Sequence, residues 1–205
     1  LGAAFTSRYK RDALGDSSSN AVTAAFFGDG TCNIGQFYEC LNMAQLWKLP
    51  ILFVVENNKW AIGMAHHRAT SDVEIWRKAA GFGMHGEEVD GMDVLAVRDA
   101  AQRAIERARA GEGPTLLECM TYRFRGHSLA DPDELRDPEE KAFWAERDPI
   151  KGFSAEVASR GLLSAEEMAA IDKEIDAEVR EAVEFALAAP EPDASELTRY
   201  IWAED

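Results

Sequence analysis

Two short apolar runs, NAVTAAFF at residues 20–27 and ILFVV at residues 51–55, bracket a stretch in which Phe37, Leu41, Ala44 and Trp47 recur at helical spacing. Each run is too short for an ordinary helix and rich in strand formers. Strand, turn, helix and strand in this order form a βαβ unit, whose strands lie parallel and are joined by a right-handed crossover. Strands apolar at odd and even positions alike must be covered on both faces. This one unit commits the chain to a layered α/β fold.

The alternation continues downstream. Ser71-Asp72-Val73-Glu74 reads as a capping box opening a helix that runs to about Ala80. Residues 87–89 read as a short strand ending at Asp90-Gly91. Asp93 is placed to cap a helix whose Val97, Ala101, Ala104 and Ala108 mark one face up to Gly111, and Pro114 introduces a strand over residues 115–121. Residues 1–121 therefore read as an open, mostly parallel sheet with helices on both faces. Residues 122–148 lose the period and read as a long loop of the functional or mobile kind, followed by a linking helix. Residues 149–205 read as a helical C-terminal extension of the same domain. It has a second capping box at Ser164 and Glu167, and a stop at Pro190-Glu191-Pro192.

Charge and cysteine content narrow the partners. With 37 acidic against 22 basic side chains and a net charge of −15, the chain is a poor match for nucleic acid, which needs clustered Lys and Arg. No apolar run approaches the length needed to span a bilayer. Three cysteines, Cys32, Cys40 and Cys119, with no Cys-x-x-Cys pair, fit reduced thiols in a cytosolic or organelle-matrix setting and no zinc site. The first residues carry no Met and no signal pattern. Leu1 to Arg8 read like the interior or end of a helix, so the chain is expected to begin partway through a larger protein.

The chemistry concentrates at two strand ends. Gly28-Asp29-Gly30 closes the first strand and Asn57-Asn58 the second, and parallel strands deliver their carboxyl ends to one edge, where ligands sit. Asp29 offers a carboxylate oxygen, Asn58 an amide oxygen, and Trp60 a main-chain carbonyl. Hard oxygen donors of this kind suit Mg²⁺, which completes its shell with phosphate and water. Gly30 lets the backbone approach an anion, Thr31 adds a main-chain N–H, and a helix opening near Asn33 would aim its positive end at the same point. Gly-Asp-Gly alone signals only a turn, and Asn-Asn only a loop; the pair at this spacing makes a site for a metal-bridged diphosphate.

The stretch GDGTCNIGQFYECLNMAQLWKLPILFVVENN resembles the thiamine diphosphate motif, specifically that of the alpha subunits of 2-oxo acid dehydrogenases. WAIGM, RATSD, VDGMDVLAV, GEGPTLLE, TYRFRGHSLADPDELRDP and ERDPI extend the resemblance over essentially the whole chain, and the loop is most similar to the pyruvate-type subunits of cyanobacteria and plastids. The resemblance implies a thiamine diphosphate-binding fold in which Asp29, Asn58 and the Trp60 carbonyl hold Mg²⁺ and Gly30 and Thr31 contact the diphosphate. It implies oxidative decarboxylation of pyruvate with acetyl transfer to lipoamide. The partners implied are a beta subunit in an α₂β₂ enzyme, which supplies the Glu that activates the cofactor, and the lipoyl domain of a dihydrolipoamide acyltransferase. A bacterial cytoplasm or plastid stroma is the implied setting. Alternatives from the same chemistry are a branched-chain 2-oxo acid or acetoin dehydrogenase. A non-catalytic Mg²⁺-phosphate module, in which Asp29 merely closes a turn, is the alternative from another class.

His127 lies in a polar loop, where a histidine is ordinarily solvated. Gly126-His127-Ser128 matches the family's active-site loop, which implies that His127 lies near the cofactor, stabilises charge and assists acyl transfer. Arg123 matches a loop arginine with an ordering role. Arg125 stands where many relatives have His, and Ser128 matches a serine phosphorylated in mitochondrial relatives. The adjacent His66 and His67 read as surface loop, Trp47 and Phe37 as helix core, and Cys119 as a buried thiol.

Overall fold

The structure, a computed structural model, describes residues 1–16, 18, 20–199 and 201. Two compact units partition the chain, Leu1–Phe153 and Ser154–Asp205. In the first unit α1 (Gly2–Asp12) precedes β1 (Thr23–Gly28). A 3-10 turn (Asp29–Asn33), α2 (Gly35–Leu46) and β2 (Ile51–Asn57) follow. Next come a two-stranded hairpin of β3 (Trp60–Ala61) and β4 (Met64–Ala65), the short helix α3 (His66–Ala69) and a 3-10 helix (Ile75–Phe82). Then β5 (His85–Asp90), α4 (Val94–Arg109), β6 (Thr115–Met120) and α5 (Pro138–Glu146) complete the order up to α6 (Pro149–Ser159).

The four long strands form one parallel sheet in the order β1-β2-β6-β5, with Phe27 beside Val55 and Val55 beside Glu118. The alternation of side chains along a strand sorts the core into two layers. Ile51, Phe53, Val55 and Leu116 face Cys32, Phe37, Leu41 and Ala44 below α2, together with Ile75 and Ala79 of the 3-10 helix. Leu52, Val54, Leu117 and Cys119 face Ala100 and Ala104 of α4. Helices thus cover both faces, as the uniform apolarity of β2 requires. Burying each of the Val, Leu, Ile and Phe side chains among them contributes about 1.5–3 kcal/mol.

Local signals succeed where the backbone needs them. The Asp93 side chain accepts hydrogen bonds from Leu95 and Ala96 N–H at 2.9 and 3.0 Å and caps α4. In the second unit the Ser164–Glu167 capping box opens α7 (Ala165–Ala188), and another 3-10 helix, Ala194–Thr198, follows Pro190 and Pro192. No residue of α7 is buried.

Three expectations need correction. Ser71–Glu74 forms no capping box: Asp72 accepts from Glu74 N–H, and the helix that follows is 3-10 without a local side-chain cap. The Glu74 N–H that Ser71 would cap is thus already taken by its neighbour, and the Trp76 N–H in the first turn of the 3-10 helix is satisfied by Glu118 of β6 at 2.8 Å. The helix after Gly-Asp-Gly opens at Gly35, two residues beyond Asn33, which closes the preceding 3-10 turn. Trp47 is not core. Helix α2 stops at Leu46, so Trp47 falls outside its buried face, is 44% exposed, and packs edge-on against Phe5 at 5.8 Å.

Candidate functional site

β1 and β2 end side by side, with Gly28 opposite Glu56 in the register, and each then turns sharply. The 3-10 turn after β1 buries Asp29 to 1% exposure. Its Oδ2 is buried and makes no hydrogen bond. Burial pushes the carboxyl above its ordinary range; His66, the backbone N–H groups of Asp29 and Asn58, and Arg123 oppose that shift. Asn58 therefore stands beside Asp29, as the strand order demands. The Asn58 Oδ1 accepts from Trp60 N–H at 3.1 Å, which engages one of its two lone pairs. His66 N–H donates to the Lys59 carbonyl at 2.8 Å, so Trp60 and Ala65 form the pair that exchanges no ladder bonds. That register leaves the Trp60 carbonyl outside the hairpin ladder.

These groups pass a test of fit for a divalent cation. A buried carboxylate oxygen without a hydrogen bond, an amide oxygen with a spare lone pair and a carbonyl outside its ladder are three hard donors carrying one negative charge. Gly30 packs where a Cβ would lie 2.8 Å from the Ala61 Cβ, so any side chain there would drive the turn off the β3 hairpin. Thr31 follows on the exposed side of the same turn.

The loop after β6 folds back on that hairpin. Arg123 donates to the Ile62 carbonyl at 3.1 Å and to the Arg125 carbonyl at 3.1 Å. Its Nη1 lies 3.4 Å from His127 Nδ1. Guanidinium has no lone pair to offer, so Nδ1 is the acceptor and Nε2 carries the proton. The His127 main-chain N–H donates to Asp131 at 2.7 Å, and Gly126 is pressed so close to Asp131 that a Cβ would meet its carbonyl at 2.9 Å. Behind this hook Arg136, 3% exposed, grips Asp133, bonds the Arg123 carbonyl and lies over the Tyr122 ring at 5.2 Å. Arg136, with Lys141, holds the Asp133 carboxyl down at about 2. Arg125, His127 and Ser128 are exposed.

Two buried groups here escape a reading of the sequence. His66 is 5% exposed, not surface loop, and its Nδ1 lies 3.5 Å from Asp29 Oδ2. Its Nε2 lies 3.2 Å from the Val73 carbonyl and Nδ1 3.4 Å from Thr70 Oγ1, which in turn accepts from Asn33. The two-residue strands that carry His66 inward are too short to show a period. His67, next along, is exposed. Glu118 is fully buried on β6, with its carboxyl pushed up by burial and pulled back by Asn57 and the Trp76 N–H. A glutamate inside the run TLLECM was the available signal.

Cys119 is a buried thiol, raised to about 11 by burial first and Glu56 second, and Cys32 is raised to about 12 by burial first. Among the described residues no cluster of three or more His, Cys, Asp or Glu is arranged for a metal, and no helix is long and apolar enough to cross a membrane.

Residues 2–195 match the family described as Dehydrogenase E1 component. The chain is 61% identical to the chloroplastic pyruvate dehydrogenase E1 component subunit alpha-3 of Oryza sativa subsp. japonica, over 99% of this chain and 48% of that protein. It is 58% identical to the pyruvate dehydrogenase E1 component subunit alpha of Porphyra purpurea, over 100% and 59%. To the same subunit of Rhizobium meliloti (strain 1021) it is 44% identical, over 96% and 55%. It spans about half the length of these relatives. With a match from residue 2 to residue 195 and an open parallel sheet that turns at Gly28-Asp29-Gly30, the chain belongs to the dehydrogenase E1 component family.

Proposed function

We propose that the chain is part of the alpha subunit of a thiamine diphosphate- and Mg²⁺-dependent dehydrogenase that oxidatively decarboxylates pyruvate and delivers the acetyl group to lipoamide. The observation that carries this reading is the Asp29 oxygen, taken out of water with no hydrogen-bond partner. A buried carboxylate oxygen that makes no hydrogen bond, with the His66 ring at 3.5 Å beside it, is destabilising, and a bound divalent cation would offset that penalty. The names of the relatives supply the reaction and the substrate.

Asp29, Asn58 and the Trp60 carbonyl would hold Mg²⁺, while Gly30 and Thr31 would contact the diphosphate. Thiamine diphosphate supplies a carbanion for attack on the 2-oxo carbon and an electron sink as CO₂ leaves. This chain anchors that group at its diphosphate end. His127, oriented by Arg123 with Nε2–H outward, donates a hydrogen bond to charge developing on the substrate oxygen and assists transfer to the lipoyl arm. Residues 1–121 act as the diphosphate and metal domain, 122–148 as the active-site loop with its linking helix, and 149–205 as the extension.

A beta subunit in an α₂β₂ enzyme and the lipoyl domain of an acyltransferase are the partners. Plastid stroma or bacterial cytoplasm is the setting. Asp29→Ala, in the full-length subunit with its partner, is expected to weaken Mg²⁺-dependent cofactor binding by at least about 100-fold. Calorimetric titration measures it, and unchanged affinity would remove the anchor.

A further inference from the structure

Glu118 is the one fully buried carboxylate near the candidate site, among the described residues, that the reading above leaves without a task. Side-chain alternation puts Asn57 of β2 and Glu118 of β6 on the same face of the sheet. Glu118 Oε1 accepts from Asn57 Nδ2 at 2.6 Å, and its other oxygen accepts from Trp76 N–H at 2.8 Å. Because a carboxylate only accepts, it decides which way the Asn57 amide points. The nitrogen must face Glu118, so the amide oxygen faces the other way, where it accepts from Lys59 N–H at 3.0 Å. A flipped amide would set N–H against N–H at Lys59 and oxygen against oxygen at Glu118.

What that amide oxygen holds is a costly turn. Lys59 is left-handed, with φ 66°, a conformation unfavourable for a residue with a side chain and kept only when its surroundings fix it. Asn58 precedes Lys59, and Trp60 follows it. The next bond in the turn, from Trp60 N–H to Asn58 Oδ1, sets the direction of the Asn58 oxygen itself.

We propose that Glu118 is a positioning residue for the metal turn. Its carboxylate fixes the Asn57 amide, and the amide fixes the left-handed turn that presents Asn58 and the Trp60 carbonyl to the cation. This rests on the Mg²⁺ reading above. It differs from a purely structural role, in which Glu118 would merely satisfy the N–H of Trp76 at the start of the 3-10 helix.

Exchanging the two groups separates the roles. Glu118→Gln brings an amide NH₂ against either the Asn57 NH₂ or the Trp76 N–H, and Asn57→Asp sets two carboxylates together. The double variant restores every bond. The carboxylate introduced on β2 accepts from the new amide and from Lys59 N–H, and the oxygen of that amide accepts from Trp76 N–H. The measurement uses the full-length subunit with its partner. It reads the Mg²⁺ half-saturation of thiamine diphosphate binding by tryptophan quenching, and the urea midpoint without cofactor.

Each single variant is expected to raise the Mg²⁺ half-saturation by about tenfold or more, and the double to return it to within about threefold of the parent. Single variants that lose urea resistance while keeping the parent half-saturation would overturn the proposal, as would a double no better than the singles. If a single variant does not assemble, Asn57→Ala replaces it, since the bond from Trp76 to Glu118 survives there. A tenfold weakening in that variant supports the proposal and parental half-saturation refutes it. A parent enzyme that binds the cofactor without Mg²⁺ would sink the functional reading itself, and this inference with it.

Discussion

Asp29 and His127, to which the proposed function gives the metal and the acyl transfer, are held by the fold in opposite ways. Asp29 is prepared by burial, because one of its oxygens lies in the protein interior without a hydrogen bond. Its carboxyl is shifted up chiefly by desolvation, with His66 the largest of the groups that oppose that shift. His127 is exposed and is prepared by orientation: Arg123 takes Nδ1, Asp131 takes the main-chain N–H, and Nε2 is left to donate. His127→Ala should therefore leave cofactor affinity within about twofold while lowering acyl transfer to lipoamide by about 100-fold, the usual size of one positioned proton or hydrogen-bond donor. Single-turnover acetylation of a lipoyl domain by the intact enzyme checks this, and a parental rate would exclude His127 from the chemistry.

At the scale of elements, the strands are legible and the short connections are not. β2 could be read from ILFVV alone, since five consecutive apolar residues need cover on two faces. Helix α4 could be read from its alanine face and from Asp93. Asp93→Ala should cost about 1 kcal/mol, the usual worth of an N-cap, seen as a lower urea midpoint with the slope unchanged. An unchanged midpoint would mean that packing of Ala100 and Ala104 alone holds the helix. The 3-10 helix over Ile75–Phe82 shows the limit of such reading. Ser71–Glu74 has the letters of a capping box, yet Asp72 takes the Glu74 N–H that Ser71 would cap, and the Trp76 N–H in the first turn is satisfied from 42 positions away by Glu118. The hairpin of β3 and β4 had no signal, because two residues per strand define no period.

For the whole molecule, the parallel order β1-β2-β6-β5 matters most, because it brings four carboxyl ends to one edge. Asp29, Asn58 and the loop carrying Arg123 and His127 leave the sheet there from β1, β2 and β6. The chain covers about half of its relatives' length, so under the proposed function substrate choice is tested on the full-length subunit with its partner. On that assembly pyruvate should be decarboxylated at least about tenfold more efficiently than branched-chain 2-oxo acids or acetoin, one factor of ten being about 1.4 kcal/mol of transition-state discrimination. Comparing kcat/KM over the three substrates decides it, and a branched-chain preference would overturn the choice of pyruvate. The sequence by itself determined the sheet, its covered faces and the two turns at its edge, because apolar periodicity and Gly or Asn at strand ends act over a few residues. Only the tertiary structure decided that His66 is buried against Asp29 and that Glu118 reaches both Asn57 and Trp76. Those contacts join residues far apart in the chain, and no local pattern encodes them. The pairing of β2 with β6 brings Asn57 to Glu118, and the packing of α3 against the turn after β1 and of the 3-10 helix against the sheet brings in His66 and Trp76.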